Sequence, residues 1–151
     1  MPASYDLMPG HVVIGDAGDQ FKTLLGSCVS VILTDPRRTV GAMCHIVHTG
    51  VPNAQNRHNT AYGVSAMHEM FTRLRARGVN PRMCEAYVFG GGNMFPEIVR
   101  ENHVGANNVE WVLDYLHNHD VSVIDHCLVG NGYRKIQWTV GAEKPIVQIT
   151  V

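Results

Sequence analysis

Short β-prone runs, broken every few residues by Gly, Asp or Pro, fill the first third of this chain: residues 11–15 (HVVIG), 21–25 (FKTLL), 29–35 (VSVILTD) and 40–48 (VGAMCHIVH). The segment DPRR at 35–38 is the predicted hairpin turn between the last two, with Pro36 presetting its φ. From Asn59 the period changes to that of a helix, with Gly63, Met67, Met70, Phe71 and Leu74 recurring on one face. Thr60 or Asn59 is the expected cap and Gly78 the expected stop, which predicts about five turns. A β run at 83–89 (MCEAYVF) leads into GGGN, and Val109, Val112, Leu113 and Leu116 mark a second amphipathic helix ending near Asn118. Three more β runs close the chain, at 121–129, 134–140 and 145–151, joined by GNGY and GAEK turns. Many strands with two good helices predict an α+β domain, a layered sandwich of mixed β-sheets with two main flanking helices, rather than a regular βαβ fold.

Composition narrows the class. The 151 residues fit one domain, 1–151, with a core of its own. With 45% apolar residues, 17% charged residues and a net charge of −1, neither disorder nor a nucleic-acid surface is indicated. No apolar run approaches the roughly 18 residues of a membrane span, and the opening MPASYDLMPGH has no signal-peptide pattern, so a cytoplasmic protein is expected. Cys28, Cys44, Cys84 and Cys127 are spread out with no CxxC pair, which favours free thiols over disulfides or a zinc knuckle.

Cys28 stands out from the other three. Gly26 and Ser27 precede it, so the backbone can turn tightly and present amides near the sulfur, while the strand that follows anchors it. Free cysteine is most often a small buried hydrophobe. A nucleophilic role needs a base, because an ordinary thiol is mostly protonated at neutral pH. His45 and His48 lie on the run that the DPRR turn folds back beside Cys28, but side chains three apart on a strand face opposite ways, so one of them at most reaches it. The same divergence argues against Cys44, His45 and His48 holding a metal, and His58 and His68 read as loop and helix-surface residues. GGGN lacks the spacing of a phosphate loop and reads as close backbone packing or a tight turn.

Five blocks in order, LLGSCVSVILTDP, VGAMCHIVH, FGGGNMF, VGANNVEWV and GNGYRKIQW, together resemble the CheD family of chemoreceptor glutamine deamidases over roughly residues 10–150. The resemblance implies a cytosolic chemotaxis enzyme that hydrolyses glutamine side chains of methyl-accepting receptors to glutamate with release of ammonia, and that also acts on receptor methyl esters. It implies a fold like the catalytic domain of cytotoxic necrotizing factor toxins, no cofactor or metal, and a CheC-type phosphatase as a further partner. Carried over by position, Cys28 is the nucleophile and His45, seventeen residues later, its base. Gly26, Ser27 and Thr23 are candidates for oxyanion or site support. The family's third site residue, a threonine six before the cysteine, falls on Lys22 here, and Thr23 would face the other way unless a bulge intervened. Tyr133 likewise stands where the family commonly has glycine. The alternative that Lys22 raises is a CheD-like binding module, docking on receptors or on such a phosphatase with little catalysis.

Overall fold

The computed structural model describes residues 2–98 and 103–151. Nine strands and two main helices follow in the order β1 (Ser4–Leu7), β2 (Val12–Asp16), β3 (Gln20–Leu25), β4 (Val29–Thr34), β5 (Val40–Cys44), α1 (Gly63–Ala76), β6 (Glu85–Gly90), α2 (Val104–Asn118), β7 (Ser122–Leu128), β8 (Tyr133–Thr139) and β9 (Ile146–Thr150). They form two mixed sheets, one ordered β1-β3-β8-β9 and the other β2-β5-β4-β6-β7. The fold is thus the expected α+β sandwich, built in three layers.

Strand alternation explains the layering. Val29, Val31 and Leu33 of β4 face α1 and α2, where they meet Met67, Met70, Leu74, Val112 and Leu116. Ile32 of β4 and Met43 of β5 face the other sheet, packing with Phe21, Leu25, Ile136 and Trp138. Since β4 is covered on both faces, all six of its residues are buried, which is why its sequence is an almost continuous apolar run. At the DPRR turn Asp35 organises the chain: its carboxylate accepts from the N–H groups of Thr39 and Val40 and from the Thr39 hydroxyl. Burial works to raise the Asp35 carboxyl, and those bonds together outweigh it and hold the group below its ordinary value. β5 then returns antiparallel to β4.

Some boundaries differ from expectation. β1 carries no strand signal of its own; it forms by parallel pairing with β3, from Ser4↔Gln20 to Leu7↔Thr23. Helix α1 has 14 residues, about four turns, and its N-cap is Tyr62. Thr60 and Asn59 are spent elsewhere, the first donating to the Gly10 carbonyl and the second accepting from the Ala61 N–H. Gly78, at φ +78°, follows the α1 C-cap Arg77 as expected, and α2 ends at Asn118 as expected. The run 40–48 is regular only to Cys44, and beyond it single bridges join Val29 to Ile46 and His48 to Tyr62. Among the described residues no helix is long and apolar enough to cross a membrane.

Candidate active site

Cys28 lies at the mouth of the intersheet layer, half-buried, in the residue before β4. The bridge Val29↔Ile46 continues the β4–β5 register that begins at Thr34↔Gly41. In that register Ser30 stands opposite His45 and Cys28 lies diagonal to His45, all three on the face turned to the other sheet. His48 falls outside this group: its ring packs on Tyr62, 4.9 Å between centroids, where the chain enters α1. His58 and His68 are exposed, on the loop before α1 and on α1 itself. No cluster of metal-ligating side chains is found among the described residues.

The partner of His45 comes from β3. Phe21, Thr23 and Leu25 point inward and are buried, whereas Lys22 and Leu24 point outward. Thr23 Oγ1 lies 2.8 Å from His45 Nδ1 and donates to the Leu7 carbonyl, also at 2.8 Å. A hydroxyl has one proton, and Leu7 takes it, so Oγ1 accepts from Nδ1–H. That fixes the tautomer with its lone pair on Nε2. The expectation that Thr23 faces away is therefore corrected. Phe21 and Leu25 hold that face of β3 against the intersheet core, so position 23 rather than 22 presents a side chain to His45.

Burial sets the resting charges. It pushes the Cys28 thiol above its ordinary value. It also drives the His45 imidazole down to about 4, against a raising effect from Leu7 and with a smaller lowering effect from His11. At neutral pH the pair rests as thiol and neutral imidazole. Burial raises Cys44 to about 12 and Cys84 to about 11, so both stay protonated at neutral pH, and the Cys84 thiol donates to the Asn80 carbonyl.

The GGGN loop underlies the cysteine turn. Gly91 N–H donates to the Cys28 carbonyl and Gly92 N–H to the Gly26 carbonyl, both at 3.0 Å. These amides are thereby committed to the turn, and the loop is a support, as its sequence suggested. The N–H groups of Ser27 and Cys28 donate to no other backbone carbonyl among the described residues. A contact the sequence reading missed comes from α2, where buried Asn108 donates from Nδ2 to the Ser27 carbonyl at 3.0 Å. One signal could have found it: Asn108 is a polar residue four before Val112 and three after Gly105, inside the apolar stripe of its helix. Beside the turn is a cleft of about 340 Å³ lined by Ser27, Gly92, Asn93, Met94, Phe95 and Val104 among others.

Two expectations follow. Thr23→Val keeps the shape but strands the Nδ1–H; kcat for any reaction using His45 is expected to fall about 10- to 100-fold, with a stability loss of about 1–2 kcal/mol in urea titrations. Lys22→Ala is expected to change neither by much, and the reverse pattern would restore Lys22 as the site residue. Acid should also unfold the protein early. The folded state holds His45 neutral, so the unfolded chain takes up that proton first. This contribution is complete above pH 6.5 and is lost as pH falls toward about 4, amounting to about 3 kcal/mol. A melting temperature that drops across that window in the wild type and much less in His45→Gln would bear this out.

A family model described as CheD chemotactic sensory transduction matches residues 48–148. An Albidiferax ferrireducens protein named probable chemoreceptor glutamine deamidase CheD 2 is 36% identical over 143 residues, 92% of this chain and 83% of the relative. Relatives named probable chemoreceptor glutamine deamidase CheD 1 from Shewanella oneidensis and CheD from Pseudomonas savastanoi pv. phaseolicola are 34% and 32% identical. Each alignment takes in 86% of this chain, and respectively 64% and 75% of the relative. A crystal structure of a Neisseria meningitidis protein of the DUF152 family is a distant likeness: TM-score 0.47 and 13% identity over 86% of this chain and 64% of that one.

Proposed function

Because this chain belongs to the CheD family, we propose that it is a thiol amidohydrolase that converts glutamine side chains of methyl-accepting chemoreceptors to glutamate, with Cys28 as nucleophile and His45 as base. The observation that carries the reading is the placement of His45 on the face it shares with Cys28, its Nδ1–H tied to Thr23 and its Nε2 lone pair left for a proton.

The chemistry follows from the resting charges. The thiol and imidazole are both neutral before substrate arrives, so Nε2 takes the thiol proton as the sulfur attacks rather than beforehand. The S–C bond forms at the carboxamide carbon, and the oxygen takes up negative charge. The N–H groups of Ser27 and Cys28, uncommitted to backbone partners, are the donors for it. The imidazolium returns its proton to the leaving nitrogen, the C–N bond breaks and ammonia departs. Water then attacks the thioester with His45 again as base, the C–S bond breaks, and the product is glutamate with the thiol restored. None of these steps calls for a metal or an organic cofactor.

The cleft beside Ser27 falls in the usual size range for a ligand site and is walled largely by apolar and backbone surface. Phe95, Ile98 and Val104, all exposed, are beside it or near it in sequence and suit the apolar face of a receptor helix. Incubation of the protein with receptor cytoplasmic fragments, followed by peptide mapping, tests the reading. A gain of about 1 Da at chosen glutamines, with stoichiometric ammonia, is the expected result. Fragments that return unmodified across a panel of receptors would overturn it.

A further inference from the structure

Three successive carbonyls in the cysteine turn are each tethered. Gly26 is held by Gly92 N–H and Cys28 by Gly91 N–H, both backbone to backbone. Ser27, between them, is held by a side chain: Asn108 Nδ2 at 3.0 Å. Asn108 is 3% exposed, and its other amide atom, Oδ1, accepts from the Thr49 hydroxyl at 3.1 Å. That second bond fixes the amide's orientation. A flipped amide would set Oδ1 against the Ser27 oxygen, two acceptors with no proton between them.

We propose that Asn108 is a positioning residue that aims the Cys28 N–H at the oxyanion formed in deamidation. The Ser27–Cys28 peptide bond is trans, as are all others in the described chain. In a trans peptide the C=O and N–H point in opposite directions. Holding the Ser27 oxygen toward α2 therefore directs the Cys28 N–H to the opposite side. With the Cys28 carbonyl also held, the peptide planes on either side of the nucleophile are both set before substrate binds, as an oxyanion donor requires. Thr49, at the end of the segment that carries His45, links this tether to the base strand, so the elements bearing nucleophile and base meet at one amide on α2.

This inference rests on the deamidase reading, and Asn108→Asp tests it. The side chain keeps its size, but a carboxylate oxygen faces the Ser27 carbonyl and repels it. The expected result is a kcat lower by about 100-fold with KM within about twofold. Alkylation of Cys28 by iodoacetamide is a displacement at carbon that develops no oxyanion, and its rate should stay within about twofold of wild type. Unchanged kcat would overturn the proposal, as would alkylation falling in step with kcat, which would mean general disorder of the turn. Should Asn108→Asp fail to fold, Thr49→Val frees the amide to flip and is expected to lower kcat about fivefold with the same split; no loss there would equally overturn it. Failure of the deamidase reading is distinguishable. A wild type that turns over no glutamine removes that reading, while a moved Cys28 amide resonance in Asn108→Asp would still report the peptide's orientation.

Discussion

Cys28→Ala is expected to abolish glutamine conversion while leaving the protein folded. In the proposed mechanism the Cys28 sulfur forms the bond that displaces ammonia and is itself displaced by water, so the loss should reach about 10⁴-fold or more, down to whatever the amide donors and binding alone supply. The structural cost should be small. Cys28 is half-buried and only packs against the edge of the intersheet core, so stability should stay within about 1 kcal/mol of wild type. The control is Cys127→Ala, a second half-buried thiol, on β7 beside Arg134. Its activity should match the wild type. Peptide mapping and ammonia release read both variants. Full conversion by Cys28→Ala would remove the thiol mechanism, and equal loss in the two would point to the fold instead.

The features that were legible in the sequence are those that local pattern controls. The β-prone run at 29–35 was legible as a strand, though not its burial on both faces, and the DPRR hairpin laid the His45 segment beside the Cys28 segment. Divergence of His45 from His48 followed from strand alternation alone. What stayed hidden depends on pairings distant in the chain. β3 joins β8 more than a hundred residues away, from Gln20↔Thr139 to Leu25↔Arg134, and no local signal encodes that partner. β1 is a strand because β3 offers it an edge.

Thr23 combines both kinds of difficulty. Its facing follows from the packing of Phe21 and Leu25 against the other sheet, and one residue of slip would reverse it. Its role also needs the Leu7 carbonyl, supplied by the unheralded β1. The case for a binding module with little catalysis rested on Lys22. A hydroxyl 2.8 Å from His45, from Thr23, stands where Lys22 supplies none.

Gly90→Ala should be the most damaging single substitution in the supports of the site. Gly90 ends β6 at φ +115°, a region that L side chains rarely adopt, and a Cβ built there would overlap the carbonyl oxygen of Cys28 itself. That atom belongs to the backbone and is held by Gly91 N–H, so it cannot swing aside as a side chain would. Relief requires either β6 or the cysteine turn to move. If β6 moves, its register Val29↔Gly90 with β4 and its parallel register with β7 are strained together. If the turn moves, Cys28 leaves its diagonal relation to His45. Backbone strain and lost packing together are expected to cost about 3 kcal/mol or more in urea titrations, and deamidation should fall with them. Gly50→Ala provides the contrast. No atom lies within 4 Å of its built Cβ, and it should stay within about 0.5 kcal/mol of wild type. A Gly90→Ala protein as stable and active as Gly50→Ala would mean that the GGGN loop does not support the nucleophile turn.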